Sequence, residues 1–184
     1  MTTGSFYQQI EVEGDSLPPL ARWNPPLSGE MDCHIKKDGS WFLEGSKLEK
    51  PRLLRLLSKV LRHENGAYYL VSPVEKWLIK VEDLPFLVVE LDVRYPDSDK
   101  QTLRVRTNVG DWQVINRDHF IDATSLPAPD EKTHIPVVHI RAGLMARFNR
   151  NTFLELAELL TPTQQADQYE LLSSGEIFTL TLDG

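Results

Sequence analysis

The chain has 184 residues, and its 41% hydrophobic content is enough to build a sizeable core. A formal net charge of −7 disfavours a protein that coats duplex nucleic acid, because binding to phosphates depends on dense lysine and arginine. All apolar runs are much shorter than the roughly 20 residues that a membrane-spanning helix needs, so we expect no membrane segment.

The first predicted elements are an arm and a hairpin. Residues 17–29 are rich in proline, which favours an extended and turn-rich arm, and Trp23 is expected to anchor it. An Asp-Gly pair, Asp38-Gly39, then separates two short alternating runs, 32–36 and 40–43. This pattern predicts two strands joined by a tight turn.

A helix and a second hairpin follow. Leucines and valines recur at the spacing of one helical face, which predicts a helix over 52–63 with Leu56 buried. Pro51 fits the first turn of this helix, and Asn65-Gly66 is expected to end it. Two strands are predicted around the next turn, Ser72-Pro73, and these are 67–71 and 76–81.

The second half of the chain is predicted to be rich in strands. Turn-forming residues separate four alternating or apolar runs, which are 86–95, 102–107, 112–115 and 135–141. A proline-containing connector covers 126–131, and a short helix is expected over 152–160. Thr152 and Glu155 have the spacing of a capping box for that helix. Two final strands flank the turn at Ser174-Gly175.

The chain also resembles itself. Residues 68–81 match residues 169–182 without a gap, at an offset of 101 positions. The matches include Tyr68 with Tyr169, Leu70 with Leu171, Ser72 with Ser173 and Glu75 with Glu176. We therefore predict an α+β protein of two structurally similar domains, each with strands, one helix and a hairpin. The first domain, 1–83, includes the arm, and the second, 84–184, has additional strands.

Several motifs resemble the bacterial domain of unknown function 1285 family along nearly the whole chain. They are Trp23-Asn24-Pro25, Asp38-Gly39-x-Trp41-Phe42-x-x-Gly45-Ser46, Tyr69 to Lys76, Val81-Glu82-Asp83-x-Pro85-Phe86, Thr107-Asn108-x-Gly110-Asp111, His119 and Val138-x-Ile140-Arg141. The resemblance implies a duplicated α+β fold whose C-terminal half is similar to pleckstrin-homology-like domains. It further implies a role in signal transduction and a nucleotide-like ligand between the halves.

Cellular location is predicted from the N-terminal residues and the cysteine content. Residues 1–13 lack the basic start and the apolar stretch of a secretory signal. Cys33 is the single cysteine, so it can form no internal disulfide, and no Cys-x-x-Cys pair is present. We therefore expect a cytoplasmic protein.

The candidate ligand site lies around the boundary between the two predicted domains. No phosphate-binding loop, dinucleotide-binding glycine motif or hydrolase nucleophile motif occurs in the sequence, so we predict no catalytic residue and no cofactor. An aromatic ring with mixed polar groups suits a ligand that contains a base and a phosphate. The predicted ligand-binding residues are Trp23, Lys76, Glu82, Asp83, Asn108, Asp111 and Arg141.

Two groups of basic residues are alternative anion sites, and the sequence does not rank them. One group lies along the first predicted helix and comprises Arg52, Arg55, Lys59 and Arg62. The other lies near the start of the second helix, where free N–H groups favour anions, and comprises Arg141, Arg147 and Arg150. Asp32 and His34 share one side of a strand, but without a third ligand we predict no metal site.

We predict from these features a non-enzymatic protein that binds a nucleotide-like or anionic small molecule. One alternative is a hydrolase that uses His119 with a carboxylate, because histidine is the usual general base. The other is an adaptor whose hairpins or basic helix bind a protein partner.

Overall fold

The computed structural model describes residues 6, 9–10, 16–122 and 135–182, so the connector predicted over 126–131 lies outside it. The chain divides into two units, Met1–Glu82 and Asp83–Gly184, which we call the N-terminal and C-terminal units. No helix within the described residues is long and apolar enough to cross a membrane.

The N-terminal unit contains a six-stranded sheet and one helix. Its elements are β1 (Leu27–Ile35), β2 (Trp41–Leu43), β3 (Ser46–Lys47), α1 (Pro51–Lys59), β4 (Leu61–Glu64), β5 (Ala67–Val71) and β6 (Lys76–Val81). The strand order is β3-β2-β1-β6-β5-β4. Two antiparallel three-stranded meanders are thus joined by one parallel pair, β1 with β6.

The prediction of a helix over 52–63 is partly wrong. Pro51 does begin the helix, but α1 ends at Lys59 and residues 61–64 form β4. Asn65 and Gly66 have φ values of 50° and 79°, which suit a two-residue hairpin turn between antiparallel strands. The Asn-Gly pair therefore closes the β4–β5 hairpin instead of ending the helix.

The buried face of α1 also differs from the prediction. Leu56 is only partly buried, whereas Leu57 and Val60 are both fully enclosed at 0% exposure. Ile35 and Trp41 of the same unit are also buried, at 0% and 1% exposure. Leu57 therefore takes the central position in the core that the periodicity assigned to Leu56.

The C-terminal unit contains nine strands and one helix among its described residues. They are β7 (Phe86–Arg94), β8 (Thr102–Thr107), β9 (Trp112–Val114), β10 (Ile121–Asp122), β11 (Val137–Arg141), β12 (Leu144–Phe148), α2 (Arg150–Ala157), β13 (Thr161–Pro162), β14 (Gln168–Ser173) and β15 (Glu176–Thr181). One sheet has the order β10-β11-β12-β7-β8-β9, again with one parallel pair, β12 with β7. The remaining three strands form a sheet of order β13-β14-β15.

The cap of α2 lies three residues before the predicted one. Asn149 is the N-cap, and its side-chain oxygen accepts a hydrogen bond from the backbone N–H of Thr152 at 2.9 Å. The Thr152 hydroxyl instead donates to the carbonyl oxygen of Val88 on β7. The predicted capping box of Thr152 and Glu155 is therefore wrong, and α2 begins at Arg150.

The prediction of two similar α+β domains is confirmed. Each unit has a six-stranded sheet of two meanders joined by a parallel pair. Both units also contain the same chain order of a meander, a helix and a second meander. In the N-terminal unit these are β1–β3, α1 and β4–β6, and in the C-terminal unit they are β10–β12, α2 and β13–β15. The C-terminal unit adds β7–β8–β9. The likeness to pleckstrin-homology-like domains stays a prediction.

The hairpins that match at an offset of 101 residues have the same register. Tyr68 pairs with Ile79, and Tyr169 pairs with Leu180. The two serines of the repeat differ in role, however. The Ser72 hydroxyl accepts a hydrogen bond from the backbone N–H of Glu75 in its own turn. The buried Ser173 hydroxyl instead donates to the carbonyl oxygen of Ile115 and so connects β14 to the residue that follows β9.

We predict that Cys33 reacts at least a hundredfold more slowly with iodoacetamide in the folded protein than in urea. The side chain is 2% exposed, and burial, with a smaller contribution from Asp32, raises the pKa of the thiol to about 12. At pH 8 the reactive thiolate is therefore scarce. Mass spectrometry of timed samples measures the two rates, and equal rates would contradict the burial of Cys33.

Candidate functional site

The seven predicted ligand-binding residues are divided between the units. The N-terminal unit contains Trp23, Lys76 and Glu82, and the C-terminal unit contains Asp83, Asn108, Asp111 and Arg141. Within the units they fall into four separate sets of contacts, of which two include more than one predicted residue.

The first set joins Trp23 and Lys76 through residues that the sequence did not single out together. We call it the basic cluster, and it consists of Trp23, Arg62, Glu64, Tyr69 and Lys76. Glu64 bridges the two cations, with Oε1 3.1 Å from Nη1 of Arg62 and Oε2 3.0 Å from Nζ of Lys76. The ammonium of Lys76 also lies 5.1 Å from the ring centroid of Tyr69, within the range of a cation–π contact.

The strand pairing places these side chains on one face. Side chains alternate between the faces of a strand, so Arg62 and Glu64 on β4 point the same way. Arg62 lies opposite Tyr69 on β5, and Val71, two residues further on, lies opposite Lys76 on β6. The cluster therefore follows from the register of three adjacent strands.

Arg62 is also fixed from the other side, by the main chain. Its Nη2 group donates to the carbonyl oxygens of Leu20 and, at 2.9 Å, Trp23. These two residues belong to the 3₁₀ turn Leu20–Arg22 and its C-cap. Trp23 is thus connected to the cluster through its carbonyl group, and the guanidinium is oriented independently of Glu64.

The cluster has one positive charge in excess, because one carboxylate serves two cations. The side chains of Arg62 and Lys76 are 14% and 18% exposed, and that of Glu64 is 32% exposed. The hydrogen bond from Lys76 is the largest cause that lowers the pKa of Glu64, with Arg62 adding to it. Glu64 therefore stays ionised near neutral pH, and its contribution to stability is lost only as the pH falls through its lowered pKa.

Glu82 lies at the other end of β6 and belongs to a different set. It accepts a hydrogen bond from the backbone N–H of Lys37 at 3.0 Å, and its Oε1 is 2.9 Å from Nε2 of His34. The Lys37 hydrogen bond is the main cause that lowers the pKa of Glu82. Among the described residues no group of three or more histidine, cysteine or acidic side chains is arranged to hold a metal ion.

Asp83 is engaged in a close ion pair. Its carboxylate accepts from Nε of Arg147 at 2.6 Å and from Nη2 at 2.8 Å, and the two side chains are 12% and 6% exposed. Nη1 of Arg147 donates to the carbonyl oxygen of Ile135. Both charged groups are occupied by each other, which is the pattern of a structural pair.

Of the remaining three predicted residues, Arg141 at the end of β11 interacts electrostatically with Asp111, and Asn108 lies in the same turn as Asp111. Asn108 accepts from the backbone N–H of Leu87 at 3.0 Å and so fixes its turn against β7. Burial lowers the pKa of Arg141, while the charge of Asp111 opposes that shift. The guanidinium carbon of Arg141 also lies 5.6 Å from the ring centroid of Phe86. Arg141 and Asp111 together carry no net charge.

The first alternative basic group does not have the predicted arrangement, and one member of the second is already in an ion pair. In the first group, Arg62 lies on β4 and not on the helix, and Lys59 is 5% exposed, so the four residues form no solvated helical stripe. In the second, Arg147 is bound to Asp83. Arg62 therefore belongs to the basic cluster and not to a helical stripe.

His119, the predicted base of the hydrolase alternative, is held by main-chain groups. Its Nδ1 lies 3.3 Å from the carbonyl oxygen of His139, and its backbone N–H donates to the side-chain oxygen Oδ1 of Asn116. His139 in turn has Nδ1 2.7 Å from the carbonyl oxygen of Asp118, and its Nε2 accepts from Gly143 N–H. At Nδ1 of His119 a carbonyl oxygen thus occupies the place that a carboxylate takes in a catalytic triad.

Comparisons with known proteins identify the family. The family model for the N-terminal domain of the domain of unknown function DUF1285 matches residues 18–84, and the model for the C-terminal domain of DUF1285 matches residues 85–180. No curated protein matches the chain.

Two solved structures are similar. One is a DUF1285 family protein from Silicibacter pomeroyi DSS-3, with 35% identity, a TM-score of 0.83, and coverage of 99% of this chain and 96% of that one. The other is a DUF1285 family protein from Shewanella baltica OS155, with 23% identity, a TM-score of 0.54, and coverage of 70% of this chain and 91% of that one. At this identity the second comparison supports the fold alone. With both family models matched in order over most of its length, this chain belongs to the DUF1285 family.

Proposed function

We propose that the protein is a non-enzymatic, cytoplasmic ligand-binding protein and that the basic cluster binds an anionic, nucleotide-like small molecule. One observation carries the proposal, namely a single carboxylate shared by two partly exposed cations, Arg62 and Lys76. The excess positive charge favours an anion, and the rings of Tyr69 and Trp23, both partly exposed, offer surfaces for a base.

The cluster is a better candidate than the group around Arg141. There the nearby charge of Asp111 already balances the guanidinium, so an added anion gains less attraction. A ligand position between the two domains and a role in signal transduction, both implied by the family resemblance, stay predictions.

We expect Lys76→Ala to weaken binding of the ligand by about 1.5 to 3 kcal/mol, the scale of a hydrogen bond to a charged group. The matched control is Lys80→Ala, because Lys80 lies on the same strand and is exposed. A panel of nucleotides and inorganic phosphates, screened by thermal shift, identifies the ligand, since a compound at a hundred times its Kd stabilises the fold by about 2.7 kcal/mol. Calorimetry then compares the variants.

Two results would overturn the proposal. If no nucleotide or phosphate compound shifts the melting temperature, the cluster is a structural ion-pair network, and the adaptor alternative takes its place. If Lys76→Ala and Lys80→Ala weaken binding equally, the ligand is attracted by general charge and not by the cluster.

A further inference from the structure

We propose that the carboxylate of Glu64 occupies the anion site when no ligand is bound. The ligand is a multiply charged phosphate-type anion that displaces this carboxylate from between Arg62 and Lys76. This inference rests on the proposed function and deepens it, because it assigns the chemical class of the ligand and the residue that competes with it.

The two cations keep their places when Glu64 moves away. Arg62 is oriented by the carbonyl oxygens of Leu20 and Trp23, which do not involve Glu64. The ammonium of Lys76 rests against the ring of Tyr69. Displacement of the carboxylate would therefore leave a site with two positive charges, already formed.

Glu64 is the member of the cluster that can leave most easily. Its side chain is 32% exposed, about twice as much as those of Arg62 and Lys76. It is also the last residue of β4, next to the Asn65-Gly66 turn. The carboxylate can rotate into water without opening the core, and water then solvates its charge.

The bridging geometry indicates what replaces it. One oxygen of Glu64 faces the guanidinium and the other faces the ammonium, at 3.1 and 3.0 Å. Phosphate presents pairs of oxygens that arginine binds with the same geometry as a carboxylate. A monoanion would only restore the charge balance that Glu64 provides, whereas a dianion or trianion is attracted more strongly to two cations. The site therefore selects phosphate-type ligands over carboxylates.

The test is the variant Glu64→Gln, which keeps the shape of the side chain and removes its charge. With pyrophosphate as the probe, we expect it to bind about tenfold more tightly than the parent, a difference of about 1.4 kcal/mol. Acetate, a monoanion, is expected to bind both proteins much more weakly than pyrophosphate. Glu44→Gln is the matched control for the loss of one negative charge, because Glu44 is exposed in the turn between β2 and β3, at the opposite edge of the sheet from β4, and it should leave the affinity unchanged. Adding Lys76→Ala to Glu64→Gln should cancel the gain.

The outcomes separate this inference from the proposed function. If the parent binds pyrophosphate and Glu64→Gln binds it equally or more weakly, Glu64 is no competitor, while the anion site itself stands. If neither protein binds pyrophosphate, this inference is overturned, and the nucleotide panel alone decides the proposed function. Circular dichroism checks the fold of the variant, and if Glu64→Gln is unfolded, Glu64→Asp, which withdraws the carboxylate by one methylene group, is expected to tighten binding in the same direction. Unchanged or weaker binding to Glu64→Asp would then overturn the inference.

Discussion

Asp83→Ala and Arg147→Ala are each expected to lower the unfolding free energy of the C-terminal unit by about 3 to 5 kcal/mol. The two side chains are 12% and 6% exposed and form two parallel hydrogen bonds of 2.6 and 2.8 Å. Removing either partner leaves the other charge in a poorly hydrated place. The cost is therefore mainly that of the uncompensated charge and not that of the lost attraction.

A matched control for this pair lies on β7. Asp92 is 3.2 Å from Arg94, but its side chain is 39% exposed, so we expect Asp92→Ala to cost less than about 1 kcal/mol. Hydrogen exchange of peptides from residues 83–182 at increasing urea concentration measures the stability of this unit. The double variant Asp83→Leu/Arg147→Met should recover most of the loss, because no charge then remains unpaired. Equal losses for Asp83→Ala and Asp92→Ala would show that burial does not set the strength of the pair.

The fold could be predicted where the signal is local. Tight turns are specified by a few adjacent residues, as at Asp38-Gly39, and the internal match between 68–81 and 169–182 predicted two hairpins that do have the same register. The missed strands are β4, which was assigned to the helix, β12 (Leu144–Phe148), and two-residue strands such as β10 (Ile121–Asp122) and β13 (Thr161–Pro162). Two residues are too few for an alternating pattern, and their pairing depends on distant parts of the chain.

The end of α1 shows why periodicity alone can mislead. Val60 and Leu61 continue the helical spacing of the leucines before them, and both are buried at 0% and 1% exposure. Their burial is compatible with a helix and with a strand, and the chain in fact enters β4 at Leu61. The Asn65-Gly66 pair was the better signal, since it favours a hairpin turn when strands flank it on both sides.

The basic cluster was hidden for the same reason. With residues 52–63 assigned to a helix, Arg62 belonged to a basic helical stripe and Glu64 had no place near Lys76. Once residues 61–64 are a strand, Arg62 and Glu64 share a face with Tyr69 and lie within reach of Lys76. The sequence could thus identify Trp23 and Lys76 as candidates, but their connection depends on the pairing of three strands.

The core of the N-terminal unit provides the second prediction with a large expected effect. We expect Leu57→Ala to lower the unfolding free energy by about 2 to 5 kcal/mol, because Leu57 is 0% exposed and its truncation leaves a cavity. The neighbouring Leu56 is the matched control, since it has the same side chain on the same helix but is only partly buried. Leu56→Ala should cost clearly less, because part of its surface is already in water and less apolar area is lost.

Urea denaturation followed by tryptophan fluorescence measures both variants. Three of the four tryptophans, Trp23, Trp41 and Trp77, belong to the N-terminal unit, and Trp41 is 1% exposed. A shift of the midpoint without a change of slope would indicate a loss of stability within the same folded state. If Leu56→Ala is as costly as Leu57→Ala or more so, the helix is rotated relative to the sheet, and the face that the leucine periodicity first indicated is the buried one after all.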